Sequence, residues 1–455
     1  MTHTPLRPLA RALALALVLP FAALPAPAIA AGAFAAAVEA ARSHDAAYRA
    51  ARHELEAGEE LVPIARAGLL PTVTASYSES RVRGERDYAA PRTRQDLDYR
   101  NPVAALQLRA PLFNLEAHSR HAAAQAQAEG ARARFAAGGR ELLDRLGLAY
   151  VQRLFAEETL ALARVQVDAL GTQTEIARRR LAAGEGTRTE LADAAASLAS
   201  AQAELIAAED QRALAQRALA RITGSETPTL DALPADAAPL LPGTRALPDW
   251  VALGHANNPT IATRQREIDA LQHEIRRARA GHFPRVDLVA SAIKAENESI
   301  STLDQETSQY SVGVQVNIPI YAGGGVDASV RRAAAELARA QARLEDDLQT
   351  LQLDIERQFR TLESGRARLS ALDDAVASSA LALEGARRGQ AAGVFSTADV
   401  LDALRRHHAA RRDAARARHE LLVARIRLQA LAGIQEEEIV ADVDHLLAAA
   451  ASTTR

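Results

Sequence analysis

The sequence has no cysteine, a single methionine, a single tryptophan and, apart from Lys294, no lysine. Without thiols there can be no disulfides, no thiolate metal sites and no attachment through a lipid-modified N-terminal cysteine, so any hold on a membrane must come from the fold itself. Nearly all the positive charge is arginine, and the net charge of -3 is too small to indicate nucleic acid or an acidic surface as a partner. Aromatic residues make up only 4% of the chain, although 48% is hydrophobic. The apolar content is therefore mostly alanine and leucine, strong helix formers that suit long helices packed side by side. Beyond the N-terminus there is also no apolar run approaching the roughly 20 residues that a membrane-spanning helix needs. A mature chain held in a membrane would have to use a closed β-barrel.

The N-terminus follows the plan of an export signal. Arg7 and Arg11 precede an apolar stretch from Leu13 to Leu24, which ends in the small-x-small pattern Ala28-Ile29-Ala30. Residues 1–30 are predicted to be a signal peptide, with the mature chain starting near Ala31.

The remainder is written twice. Ala67-Gly68-Leu69-Leu70-Pro71-Thr72-Val73 recurs as Ala280-Gly281-His282-Phe283-Pro284-Arg285-Val286, and Leu106 to Phe113 recurs as Val314 to Tyr321. Ala183-Gly184 and Leu191 to Ala194 match Ala392-Gly393 and Val400 to Ala403, and Ile222-Thr223-Gly224 matches Leu431-Ala432-Gly433. The offsets stay between 208 and 213 in unchanged order, which chance matches between alanine-rich helices would not do. The expected organisation is a first repeat over 31–224, a connector over 225–249, a second repeat over 250–434 and a C-terminal tail over 435–455. The connector holds Pro228, Pro234, Pro239, Pro242 and Pro248, which exclude regular helix.

Each copy reads helix, strand, loop, strand, long helix, turn, helix. Phe34 to Ala67 is helical in pattern apart from Pro63. Val73, Ala75 and Tyr77 alternate with Thr72, Thr74 and Ser76, and Leu106 and Leu108 alternate with Gln107 and Arg109. In the second copy Val286, Leu288 and Ala290, then Val314, Val316 and Ile318, make the apolar sets. Leu115 to Ala183 and Val326 to Ala392 stay helical without a proline, each about 100 Å at 1.5 Å per residue. Such strands suit a tilted bilayer crossing, apolar face to lipid and polar face to a wet lumen. Four strands cannot close a barrel, so their edges must pair with another copy. The polar stretches Glu79 to Asn101 and Asn297 to Gln309 are expected to be loops at the outer tips.

Taken together, the signal peptide, the repeat, Ala-Gly-x-x-Pro before a strand, Pro319-Ile320-Tyr321-Ala322-Gly323-Gly324 after one, and Asp399-Val400-Leu401-Asp402-Ala403 resemble the TolC family of outer-membrane efflux and secretion channels. The resemblance implies an α+β membrane channel: a homotrimer whose twelve-stranded β-barrel, four strands per chain, sits in outer-membrane lipid and continues as a long α-helical coiled-coil barrel across the periplasm. It also implies docking to an inner-membrane transporter through a periplasmic adaptor protein.

The turns at Ala183–Gly186 and Ala392–Phe395 would then lie at the far end of the rods. Glu190 with Asp193 and Asp399 with Asp402 follow them, each pair on one helix face. Thr187-x-x-Glu190 has the form of a capping box and Ser396-x-x-Asp399 approximates one, so Glu190 and Asp399 have a structural use. Asp193 and Asp402 lie beyond its reach. By resemblance Asp399 and Asp402 match an acidic ring at the periplasmic entrance, which is expected to be cation-selective. The family's closed-state latch binds an aspartate with a tyrosine and an arginine; the matching positions here are Glu190, Gln390 and Phe395. Thr189 and Arg188 belong to the same latch region, with Arg387 and Arg388 close by.

No enzyme and no cofactor is expected. His407-His408 sits among arginines on a helix, and Gly323-Gly324-Gly325 lacks the lysine and hydroxyl residue of a phosphate-binding loop. The competing reading is a soluble periplasmic coiled-coil adaptor or scaffold, which would have no use for four amphipathic strands.

Overall fold

The computed structural model describes residues 32–225, 230, 233, 245–299 and 302–453. The expected signal peptide and most of the expected proline-rich connector fall outside these residues. Among the described residues no helix is long and apolar enough to cross a membrane.

Two helical rods dominate the chain. Helix α4 (Leu115–Ala182) has 68 residues and α8 (Gly325–Ala391) has 67. The first starts where the Asn114 side chain accepts the Ala117 N–H at 3.0 Å. The second starts after Gly323 and Gly324, both in the left-handed region. Helix α5 (Arg188–Thr223) returns along α4, and α9 (Thr397–Leu431) returns along α8 while also lying against α4. The two hairpins are thereby joined into one bundle. The α8–α9 seam is close: a Cβ at Gly365 would come within 2.4 Å of Leu421 Cδ2.

The N-terminal stretch is three helices rather than one: α1 (Ala33–His44), α2 (Ala46–Glu59) and α3 (Leu61–Ala67). Asp45 makes the first break, because its carboxylate accepts the Tyr48 N–H at 2.8 Å and so caps α2. Pro63 falls in the first turn of α3, where its missing N–H has no cost. In the second copy α6 (Leu247–Asn257) and α7 (Pro259–Arg279) take the corresponding place, parted at Asn258-Pro259.

The expected tail is structured over most of its length. Residues Glu436–Thr453 form α10, which inserts Ile439, Val443, Leu446 and Leu447 into the largest core. That core lies partway along the rods around Leu142, Leu143, Leu146, Tyr150, Ile355, Leu362, Leu421 and Leu422, with Phe34 edge-on to Tyr150 at 5.2 Å. The Asp444 carboxylate accepts the Phe34 and Ala35 N–H groups at 3.0 and 3.1 Å, so α10 caps α1.

At the other end of the rods, β1 (Thr72–Ala89), β2 (Arg92–Phe113), β3 (Arg285–Ser299) and β4 (Thr302–Asn317) form an antiparallel sheet in sequence order. The stretches expected as loops are mostly strand. β1 and β2 stay paired from Thr72↔Arg109 out to Ala89↔Arg92, so the hairpin projects as a two-stranded ribbon past the end of the β2–β3 pairing at Val103↔Ala295. Arginine–carboxylate pairs hold the ribbon where apolar pairs are lacking: Arg81 and Arg83 with Asp98, Arg94 with Glu85, and Arg100 with Glu79. A count of apolar alternation misses such a strand.

Candidate functional site

The sheet register sorts the strand residues onto two faces. Val73, Ala75 and Tyr77 lie in rows with Leu108, Leu106 and Ala104, then with Ala290, Ala292 and Lys294, then with Val312, Tyr310 and Ser308. Leu288 with Val314 and Val286 with Val316 continue this face toward the helices. Tyr310 is 83% exposed, Val312 78% and Val314 60%. A contiguous apolar face of this extent in water would be an aggregation site. Nine strand residues from Val286 to Lys294 at about 3.3 Å each, tilted by about 40°, rise roughly 23 Å, close to the apolar band of an outer-membrane barrel. Its outer limit is the Lys294–Glu306 ion pair. The opposite face carries Thr72, Thr74, Gln107, Arg109, Asp287, Gln315 and Asn317. The outer edges of β1 and β4 pair with no further strand among the described residues.

The two hairpin tips are built alike. In each, a glycine in the left-handed region, Gly184 or Gly393, follows the rod. The N–H of the next residue returns to the carbonyl of Arg180 (from Glu185, 2.9 Å) or Gly389 (from Val394, 2.8 Å), which closes a Schellman turn. The returning helix then opens with a capping box. Thr187 Oγ1 accepts the Glu190 N–H at 3.1 Å while the Glu190 carboxylate accepts the Thr187 N–H at 3.0 Å. Ser396 and Asp399 make the same reciprocal pair at 3.2 and 2.8 Å, and Ser396 Oγ donates to Asp399 Oδ2 at 2.7 Å. The hydrogen bonds from Ser396 hold the Asp399 carboxyl below its ordinary range.

The candidate carboxylates therefore differ in state. Glu190 and Asp399 are tied to their own helix ends. Asp402 accepts from Arg405 at 3.3 Å and from Arg406 at 2.6 Å. Asp193 is exposed and makes no ion pair or hydrogen bond among the described residues. At the latch positions, Gln390 Nε2 donates to Thr397 Oγ1 at 3.3 Å within its own hairpin, while Thr189 and Arg188 are exposed. The Phe395 ring lies over Gly389, where an added Cβ would meet Cδ2 at 2.2 Å, yet Phe395 remains 47% exposed.

Between the tips, Leu170, Ala177, Ala194, Ala201, Leu383, Ala386, Val400, Leu401, Ala403 and Leu404 form a separate small core. Beside it runs a cleft of about 740 Å³ whose lining includes Gln173, Arg180, Glu185, Arg387 and Gln390. The sequence reading missed this cleft, because it is made by the facing of α4 and α8, which are far apart in the chain.

The profile of the family described as "Outer membrane efflux protein" matches residues 37–225 and again 250–434, so the duplication is a property of the family. Among curated relatives, the proteases secretion protein PrtF of Dickeya chrysanthemi is 36% identical, the match covering 88% of each chain. The alkaline protease secretion protein AprF of Pseudomonas aeruginosa is 31% identical over 87% of this chain and 83% of that one. A solved structure of CusC matches with a TM-score of 0.76 and 18% identity, covering 88% of this chain and 92% of that one, which shows a shared fold. The apolar outer face of the sheet, the repeated rods and these matches agree, and nothing supports a soluble adaptor. The chain belongs to the outer membrane efflux protein family and is an outer-membrane channel of the efflux and type I secretion kind.

Proposed function

We propose that three copies of this chain assemble into a twelve-stranded barrel in outer-membrane lipid, and that the channel is the exit duct of a type I secretion system for a protein cargo. The observation that carries the cargo class is the match to two protease secretion proteins over at least four-fifths of every chain compared. Trimerisation is supported by the two unpaired sheet edges, since four strands cannot enclose a lumen and closed barrels begin at eight. The hairpin tips form the periplasmic entrance, ringed by Asp399, Asp402, Glu190 and Asp193. Phe395 and Gln390, with Thr189 and Arg188 opposite, replace a charged latch by apolar and neutral contacts. A periplasmic adaptor and an inner-membrane transporter deliver the cargo and supply the energy, leaving this chain as a conduit without catalysis.

The test is complementation. The chain is expected to restore extracellular protease in a PrtF-deficient Dickeya strain and to migrate as a trimer that boiling dissociates. If it restores bile-salt or dye resistance in a TolC-deficient strain but no protease secretion, the cargo assignment fails.

A further inference from the structure

His419 of α9 is only 5% exposed, yet one of its two ring nitrogens is left without a partner. Nδ1 lies 2.8 Å from the Ala415 carbonyl. A carbonyl can only accept, so Nδ1 carries the proton and Nε2 keeps a lone pair. Burial, the largest cause, holds the imidazole below its ordinary range and so keeps it neutral. Nε2 has no hydrogen-bond partner among the described residues. The ring instead forms part of the wall of a cavity of about 460 Å³ between α4, α8 and α9.

Leu148, Val151 and Phe155 of α4 and Val423 of α9 make the cavity apolar, with the Phe155 ring edge-on to His419 at 5.4 Å. At its exposed rim the Arg416 guanidinium stands 6.0 Å from the Phe155 centroid, with no carboxylate partner among the described residues. The neighbouring charges are already taken: Glu420 by Arg368, Arg427 by Asp144, and Glu158, 3.8 Å from His419 Nδ1, by Arg418. Leu148, Gln152 and Phe155 lie on the face of α4 opposite Leu143, Leu146 and Tyr150, so the cavity opens away from α1.

We infer that this cavity binds a small aromatic acid whose ring carries a phenolic hydroxyl. A neutral Nε2 only accepts, so the ligand must bring a donor. The apolar walls take a flat ring, and a mostly apolar cavity of this size with a few convergent polar groups is the usual form of a small-molecule site. Arg416 supplies the charge that a carboxylate at the far end of the ligand would answer. His419 and Arg416 both flank Phe155, so a one-ring ligand reaches both. A metal ion does not fit, because among the described residues no three histidines or carboxylates come together to hold one. Seated there, the ligand would touch α4, α8 and α9 at once and brace the seam where α9 joins the two hairpins.

The experiment is calorimetric titration of the full-length, detergent-solubilised channel with 4-hydroxycinnamate, which is expected to bind saturably. Cinnamate, which lacks the hydroxyl, and tyramine, which carries an ammonium group in place of the carboxylate, are each expected to bind about tenfold more weakly. Arg416→Gln changes an exposed side chain and is expected to weaken 4-hydroxycinnamate by about tenfold while leaving 4-methylphenol unchanged. His419→Phe, with its fold checked by circular dichroism, is expected to abolish the preference for 4-hydroxycinnamate over cinnamate. If that variant does not fold, the ligand series on the wild type and on Arg416→Gln decides. Absence of saturable binding to the wild type overturns the site. Equal affinity for cinnamate overturns the role of His419, equal affinity for tyramine overturns that of Arg416, and binding unchanged in both variants places the ligand elsewhere. In each of these cases the channel assignment stands, because the cavity is formed within one chain.

Discussion

Arg109 of β2 donates through Nε and a terminal nitrogen to one carboxylate oxygen of Asp287 on β3, at 3.0 and 2.5 Å. The pair joins the first repeat to the second, on the face away from lipid. Asp287 is 6% exposed, so removing its partner strands a buried carboxylate. Arg109→Leu is expected to cost about 1–3 kcal/mol, seen as a lower temperature for trimer dissociation on gels. Arg109→Leu with Asp287→Leu is expected to recover much of the loss. Equal losses in the single and double variants would count against a pairing role.

The repeat also predicts how the proposed trimer closes. β2 pairs with β3 as Leu108↔Ala290 and Ala110↔Leu288. Carried over by the repeat offsets, β4 of one copy should set Val316 opposite Tyr77 of the next, with Ile318 just beyond its end facing Ala75. The native chain has no cysteine to interfere. Val316→Cys with Tyr77→Cys is expected to give covalent trimers on oxidation, whereas Val316→Cys with Ser76→Cys is expected to give few. The reverse yield would disprove the register.

Phe395 and Gly389 offer a test of the apolar closure. Phe395→Ala is expected to raise leak through the resting channel, read as single-channel conductance and antibiotic sensitivity. Gly389→Ala pushes the same ring aside and is expected to do likewise. Combined, they should do no more than Phe395→Ala alone; additive effects would mean that the ring and the glycine act separately.

Three histidines on α9 predict an acid-sensitive periplasmic half. Burial is the largest cause holding His407, His408 and His419 below the ordinary imidazole value. Arg387 and Arg411 add to it at His407, Arg411 and Arg412 at His408, and Arg418 at His419, while Glu204 opposes it at His408 and Glu158 at His419. Because the folded-state values lie below the unfolded one, the unfolded chain takes up protons first as pH falls. Stability is full above about pH 6.5 and declines below it. Thermal unfolding followed by circular dichroism is expected to show this decline, and replacing all three by glutamine to flatten it. An unchanged pH profile would exclude these residues as its source.

Much of this architecture could be read in advance because its signals are local and repeated. The rods end within a residue of expectation, since Asn114, the glycine pair at 323–324 and the single glycines Gly184 and Gly393 mark their boundaries in the sequence. Four strands of alternating polarity were legible for the same reason. The ribbon was not, because arginine–carboxylate pairs replace apolar alternation from Arg81 to Arg100. Helix α10 was hidden behind three glutamates, although Ile439, Val443, Leu446 and Leu447 carry helical spacing. At the tips, the two capping boxes followed from Thr187-x-x-Glu190 and Ser396-x-x-Asp399. The sharing of Asp402 between Arg405 and Arg406 depends on rotamers, and the cleft between α4 and α8 on tertiary packing; spacing specifies neither.

The contact of Asp444 with the start of α1 bears on how the chain matures. The carboxylate that caps α1 and the apolar side chains that cover Phe34 and Tyr150 lie near the end of the sequence. Such long-range contacts carry a large loop-closure cost and form late. The core around Phe34 and Tyr150 is therefore complete only when α10 has docked. Without Ile439, Val443, Leu446 and Leu447 that apolar girdle would lie open to water, so α10 acts as the clasp of the bundle's waist.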